Sequence, residues 1–269
     1  MRKLLVISVA SLVVAAGLAA QTTNQGGGIE QIGVGGTPRI SPADAAKPAP
    51  RLPDGTIDLT GPWVGGGSNA DIERDGGLKP GELPLLPWAR QLRDARKTEN
   101  EPYTACLPMS VPRVNPYPWK FAMTYTGKGL SHIYILHETG DAGAHRVIYM
   151  DGRLHPPDPV PTWWGHSIGR WEGDSLVVDT VGYNDKFWFD SRGTPHTEQL
   201  HTIERFTRIN FGTLINDFTL DDPGAFSRPV QLKFTATHIR PDLDIMEFIC
   251  LEDNQYGVAG GFTPAQPDK

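Results

Sequence analysis

From Trp119 onward the chain alternates. Short stretches rich in Val, Ile, Thr, Tyr and Phe, with side chains of one kind recurring at every second position, are separated by Gly, Asp, Asn or Pro. That is the pattern of half-buried strands. It predicts strands over residues 119–126, 131–138, 144–151, 165–171, 175–182, 200–209, 213–221, 230–238 and 244–252. Glu172-Gly173-Asp174, Asn210-Phe211-Gly212 and Arg240-Pro241-Asp242 carry hairpin-turn chemistry. No long helical crossover separates the strands, so the expected sheet is antiparallel. Consecutive strands favour an all-β fold: a lipocalin-like barrel, or a strongly curved sheet, of about 8–10 strands. A two-sheet sandwich is the alternative. No repeat of 20–50 residues is present, which argues against a propeller.

One stretch has helical spacing instead. Leu85, Trp88 and Leu92 fall at i, i+3 and i+7 within 85–96, with Pro87 near the first turn. They predict one short helix packed through that stripe.

The N-terminus reads differently from the rest. Arg2 and Lys3 precede an apolar run from Leu4 to Leu18, and small residues follow at Ala19 and Ala20. This is the layout of a secretory signal peptide, assigned to residues 1–20, and the run is short for a membrane span. Residues 21–56 are Gly, Pro, Ala and polar side chains, too poor in apolar surface to offset their ordering entropy. They are expected to be disordered, or to lie as a strap on a single β-barrel domain over residues 57–269. The expected location is periplasmic or secreted.

Composition narrows the partners. Without Arg2 and Lys3 the chain has 23 basic against 31 acidic residues, a net of −8. No Lys/Arg run is present, so nucleic acid and anionic membrane surfaces are not expected partners. Cys106 and Cys250 are the only cysteines, and in an oxidising compartment they are expected to pair. Their spacing fits no zinc motif, and no metal or other cofactor is expected. His137-Glu138 lacks the second His of H-E-x-x-H. No Gly-rich loop opens a helix, and no G-x-S-x-G elbow is present.

The densest motif runs Asp151-Gly152-Arg153-Leu154-His155-Pro156, then Trp163-Trp164-Gly165-His166-Ser167-Ile168-Gly169-Arg170-Trp171-Glu172-Gly173-Asp174-Ser175-Leu176-Val177-Val178-Asp179-Thr180. With Leu200-His201-x-x-Glu204-Arg205-Phe206 and Asp222-Pro223, it resembles a family of exported bacterial proteins of unassigned function from soil acidobacteria and sphingomonads. The resemblance spans about Ile57 to Asn254 and implies export and a lipocalin-like fold. It carries no reaction. Gly61-Pro62-Trp63 is similar to the G-x-W that opens lipocalin barrels.

Alternation then sorts candidate side chains. Ionisable groups recur on both faces of several predicted strands, as a partly polar interior or structural ion pairs would require. Arg146 with Glu138, or Arg205 with an acid, are the ion-pair candidates. His166, beside Trp163 and Trp164, is expected to point into the barrel as an acid–base group. His201 with Glu204 or Glu198 is a second acid–base candidate, and Tyr134 a proton donor. Trp163, Trp164, Trp188, Arg146 and Arg153 are the candidate ligand-binding residues. The expected function is binding of a small apolar or aromatic molecule in a barrel pocket, with cofactor-free lyase, hydratase or isomerase chemistry. A non-catalytic carrier is the alternative, and a carbohydrate-active protein with exposed Trp platforms is the third reading.

Overall fold

The computed structural model describes residues 39–113, 117–139 and 145–250. Nine strands close into one barrel: β1 (Pro62–Gly65), β2 (Trp119–Thr126), β3 (Gly129–His137), β4 (His145–Tyr149), β5 (His166–Glu172), β6 (Ser175–Val181), β7 (His201–Asn210), β8 (Thr213–Asp221) and β9 (Val230–His238). Neighbours in sequence are neighbours in the sheet, and β9 returns to β1. The all-β barrel read from the periodicity is therefore what forms. Eight of its strands lie where alternation predicts them. The ninth predicted strand does not form over its described residues, 244–250. The closing strand is β1 instead, on which Trp63 is fully buried and donates its indole N–H to the Leu59 carbonyl at 2.9 Å.

The turns follow their chemistry. Glu172 pairs with Ser175 around Gly173-Asp174, with Gly173 at φ +60°. Asn210 pairs with Thr213, and its side chain accepts the Gly212 N–H at 3.0 Å. One connection departs from the expected meander. β4 and β5 are parallel, joined by a crossover without helix over residues 150–165. Parallel neighbours need such a crossover because a tight hairpin cannot reverse the chain twice.

Among the described residues three short α-helices lie outside the barrel wall: α1 (Pro42–Ala45), α2 (Ile72–Asp75) and α3 (Pro87–Ala95). The predicted helix is α3, but its buried face is Ala89 and Arg93, while Trp88 and Leu92 are exposed. Only Leu85, just before the helix, is buried as the stripe predicted. Residues 39–56 form a strap: the Phe211 and Gly212 N–H groups donate to the carbonyls of Lys47 and Ala45, and Arg51 pairs with Asp174. Residues 1–38, and the predicted signal peptide with them, lie outside the described residues. No helix among the described residues is long and apolar enough to cross a membrane.

Cys106 and Cys250 form a disulfide across 144 residues, the bond expected of an oxidising compartment.

The inward positions are apolar at both ends and polar between. One apolar cluster gathers Tyr183, Phe187, Phe189, Phe218, Leu232 and Phe234. The other gathers Trp63, Trp119, Phe121, Ile133, Leu176 and Phe206. On β7, Thr202 and Glu204 separate Leu200, just before the strand and in the first cluster, from Phe206 of the second, and on β8 Asn216 separates Leu214 from Phe218. Arg146 fills this belt. Its guanidinium pairs with Glu204 and donates to Ser167 Oγ at 2.9 Å and Thr180 Oγ1 at 2.6 Å. Burial works against its charge, and the Glu204 carboxylate outweighs it, so Arg146 is held more firmly protonated. The expected pair with Glu138 does not form. That carboxylate accepts the Met246 N–H instead. Arg205 does find an acid, Glu172 across the outer face.

Candidate functional site

The crossover sets the site. Gly165 ends it at φ +65°, and a Cβ there would lie 2.7 Å from Thr180 Cγ2 and from the Val181 carbonyl. Glycine therefore lets the chain enter β5 flush against β6. From that start Ser167 faces inward, 1% exposed, and meets Arg146 in the belt. Its neighbour His166 must face outward. The expectation that His166 points into the barrel is thus corrected: the belt takes the serine, and the imidazole lies on the outer wall.

There it joins a cluster. The crossover lays His155 over β5 and β6, with its Nδ1 2.9 Å from His166 Nδ1 and its Nε2 3.2 Å from Asp179 Oδ1. His201, at the start of β7, brings its Nε2 to the same oxygen at 2.8 Å. All four side chains are half-buried on one outer face. Tyr149 of β4 stacks on His166 at 5.1 Å and 25°, and the Arg153 guanidinium covers Tyr149 at 3.8 Å. Arg153 is itself paired with Asp151, whose carboxyl it holds down to about 2. Burial, then the neighbouring His155 ring and the positive charge of Arg153, holds His166 below the ordinary imidazole range.

Beside His201 the wall hollows out to about 430 Å³. Pro156, Pro157, Pro159 and Pro161 of the crossover form one side, and Val181 and Leu200 supply further apolar surface. Asp158, Glu198, Gln199 and His201 are its polar groups. A dyad of imidazole and carboxylate thus opens onto a hollow of mixed polarity, an arrangement suited to taking a proton from a bound molecule.

Other predicted site residues fall elsewhere. Glu204 is inside the barrel with Arg146, so it cannot serve His201, which points outward from the same regular strand. Glu198 lines the hollow with His201, but the carboxylate that holds the imidazole is Asp179. Tyr134 is on the outer face of β3, stacked with His132 at 5.9 Å. Arg146 is spent on the belt. Trp163 and Trp164 pack against the apolar core, and Trp188 is 5% exposed beneath the Arg96 guanidinium. These three tryptophans make no exposed row, which removes the platform that the carbohydrate-active reading required.

The residue that sequence reasoning missed is Asp179. It stands within the quoted motif, and alternation places it on the outer face with Val177 and Val181, whereas His155 is a histidine that only the fold could bring to His166 and His201. The meeting of Asp179 with His201 needs only the β6–β7 register, in which Asp179 lies opposite Ile203. His155 carries no periodic signal. Among the described residues no group of three or more His, Cys, Asp or Glu side chains is arranged to hold a metal ion. In the cluster itself, His155 turns opposite ring nitrogens toward His166 and Asp179. Compared with protein families, with curated proteins and with solved structures, the chain finds no match.

Proposed function

We propose that this is an exported protein that binds a small, largely apolar or aromatic molecule on its outer wall and moves a proton on it without a cofactor. The observation that carries the reading is the His201–Asp179 contact of 2.8 Å on the rim of the proline-walled hollow. Asp179 accepts the Nε2–H of His201, which leaves Nδ1 as a lone pair. A carboxylate behind an imidazole fixes its tautomer and stabilises the imidazolium formed when it takes a proton. The imidazolium can return that proton to another atom of the ligand, and Glu198 lines the same hollow as a further acid–base group. Flat proline faces suit a planar ligand, and Asp158 and Glu198 select a neutral or cationic one over an anion. Elimination, hydration or isomerisation is the matching reaction class. The disulfide, the acidic balance and the N-terminal pattern support a periplasmic or secreted location, with neither nucleic acid nor membrane as partner.

The test needs no prior substrate. The protein is incubated in D2O with a library of small aromatic and phenolic compounds, and mass spectrometry reads which gain deuterium at carbon or change mass. Wild-type protein labels at least one compound, and His201→Ala lowers that rate by about 10²-fold or more, the usual worth of a positioned base. Compounds that bind without labelling would make the protein a carrier. Labelling that survives His201→Ala would remove the site.

A further inference from the structure

We propose that His155 is a positioning residue that locks His166 in its Nδ1–H form and so bares His166 Nε2 as a second base of this site. The inference rests on the proton-transfer reading above. It follows from counting protons along the contacts. Asp179 Oδ1 accepts from His155 Nε2 and from His201 Nε2. A neutral imidazole has one N–H, so His155, having donated it to Asp179, presents only a lone pair at Nδ1. The 2.9 Å contact between the two Nδ1 atoms then contains His166's proton. His166 Nε2 is left as an acceptor, with no hydrogen-bond partner among the described residues.

The alternative places protons on both nitrogens of His155. The charges around the pair oppose it on one side and favour it on the other. Arg153, stacked on Tyr149 next to His166, adds positive charge. Asp179 from β6 supplies one negative charge, and His201 from β7 already draws on it. Asp151 is neutralised by Arg153. Asp158 on the crossover and Glu198 before β7 line the hollow, which His201 shares. A doubly protonated His155 would turn an N–H toward His166 Nδ1 and make that nitrogen the acceptor, so the nitrogen shifts below separate the two arrangements.

His201 meets the Asp179 carboxylate directly, and His166 reaches it only through His155.

Imidazole nitrogen shifts in the full-length, ¹⁵N-histidine-labelled protein at pH 7.5 test this. The expected result is His166 with a pyrrole-type Nδ1 and a pyridine-type Nε2. His155→Phe removes the acceptor and moves His166 to the Nε2–H form or to averaged shifts. His155→Gln, whose amide accepts from His166 and donates to Asp179, restores the wild-type shifts, an outcome a merely space-filling role does not produce. An Nε2–H form of His166 in the wild type overturns the proposal, and so does indifference to His155→Phe. If the Phe variant does not fold, the wild type and the Gln variant decide. Failure of deuterium labelling with these shifts intact would sink the proton-transfer reading alone. Labelling without these shifts would sink only the role of His155.

Discussion

Replacing Glu204 by Gln tests the polar belt that divides the barrel interior. The Arg146 and Glu204 side chains are 1% and 3% exposed, so neither charge has water to fall back on. Removing one partner of such a pair costs about 3–5 kcal/mol, because the other charge is left buried and uncompensated. Gln keeps the shape and one neutral hydrogen bond. Arg146 also keeps the Ser167 and Thr180 hydroxyls, which places the expected loss at the lower end, about 3 kcal/mol. Arg146→Met with Glu204→Leu removes both charges, and the freed Ser167 and Thr180 already bond each other at 2.9 Å. The double variant is therefore expected to recover most of the loss. Urea unfolding of the oxidised proteins gives the free energies, with unchanged slopes confirming comparable end states. A loss below about 1 kcal/mol for Glu204→Gln, or a double variant no better than the single one, would refute the account of the belt as a dry, mutually compensated network.

Two further outcomes follow from covalent and titration chemistry. Reducing Cys106–Cys250 frees a loop of 144 residues and should lower stability by about 5 kcal/mol on the chain-entropy account, read from urea midpoints with and without reductant. Burial pushes the imidazoles of His137 and His196 down to about 3 and about 4. The unfolded chain takes up these protons near pH 6.5 and the folded chain only far lower. Stability is therefore full above pH 6.5 and falls as pH drops toward 4, by up to about 1.4 kcal/mol per unit for each histidine. Urea midpoints between pH 7.5 and pH 4.5 should show this slope, shallower in His137→Phe, and an unchanged midpoint across that range would count against it.

Much of this was legible because strand periodicity is local. Alternation along 201–210 sends Thr202, Glu204 and Phe206 inward, and the hairpin turns need only Gly173 or Asn210 and Gly212 to be recognised. Helix α3 shows the limit. Its apolar spacing is real, but the surface it meets accepts a small Ala89 and the stem of Arg93, leaving Trp88 half in solvent with its indole N–H on the Gly224 carbonyl. His166 shows another. The tryptophans before it suggested an inner pocket, yet the residue that decides its direction is Ser167, held by a guanidinium 21 positions away. The Asp179 cluster depends on a crossover of prolines and exposed side chains, whose path no period encodes.

The parallel junction of β4 and β5 has a consequence for how the wall is assembled. Only Ile148–Ser167 and Tyr149–Ile168 are in register there, and β1 meets β2 through two pairs and β9 through three. β2 to β4 and β5 to β9 are each held by long antiparallel ladders, even where residues 182–200 separate β6 from β7, whereas these junctions carry only two or three register pairs each. The cylinder is in effect two staves bound along two thin lines, and the stack of Tyr149 on His166 spans one of them, so the proposed chemistry stands beside the place where the wall is most easily parted.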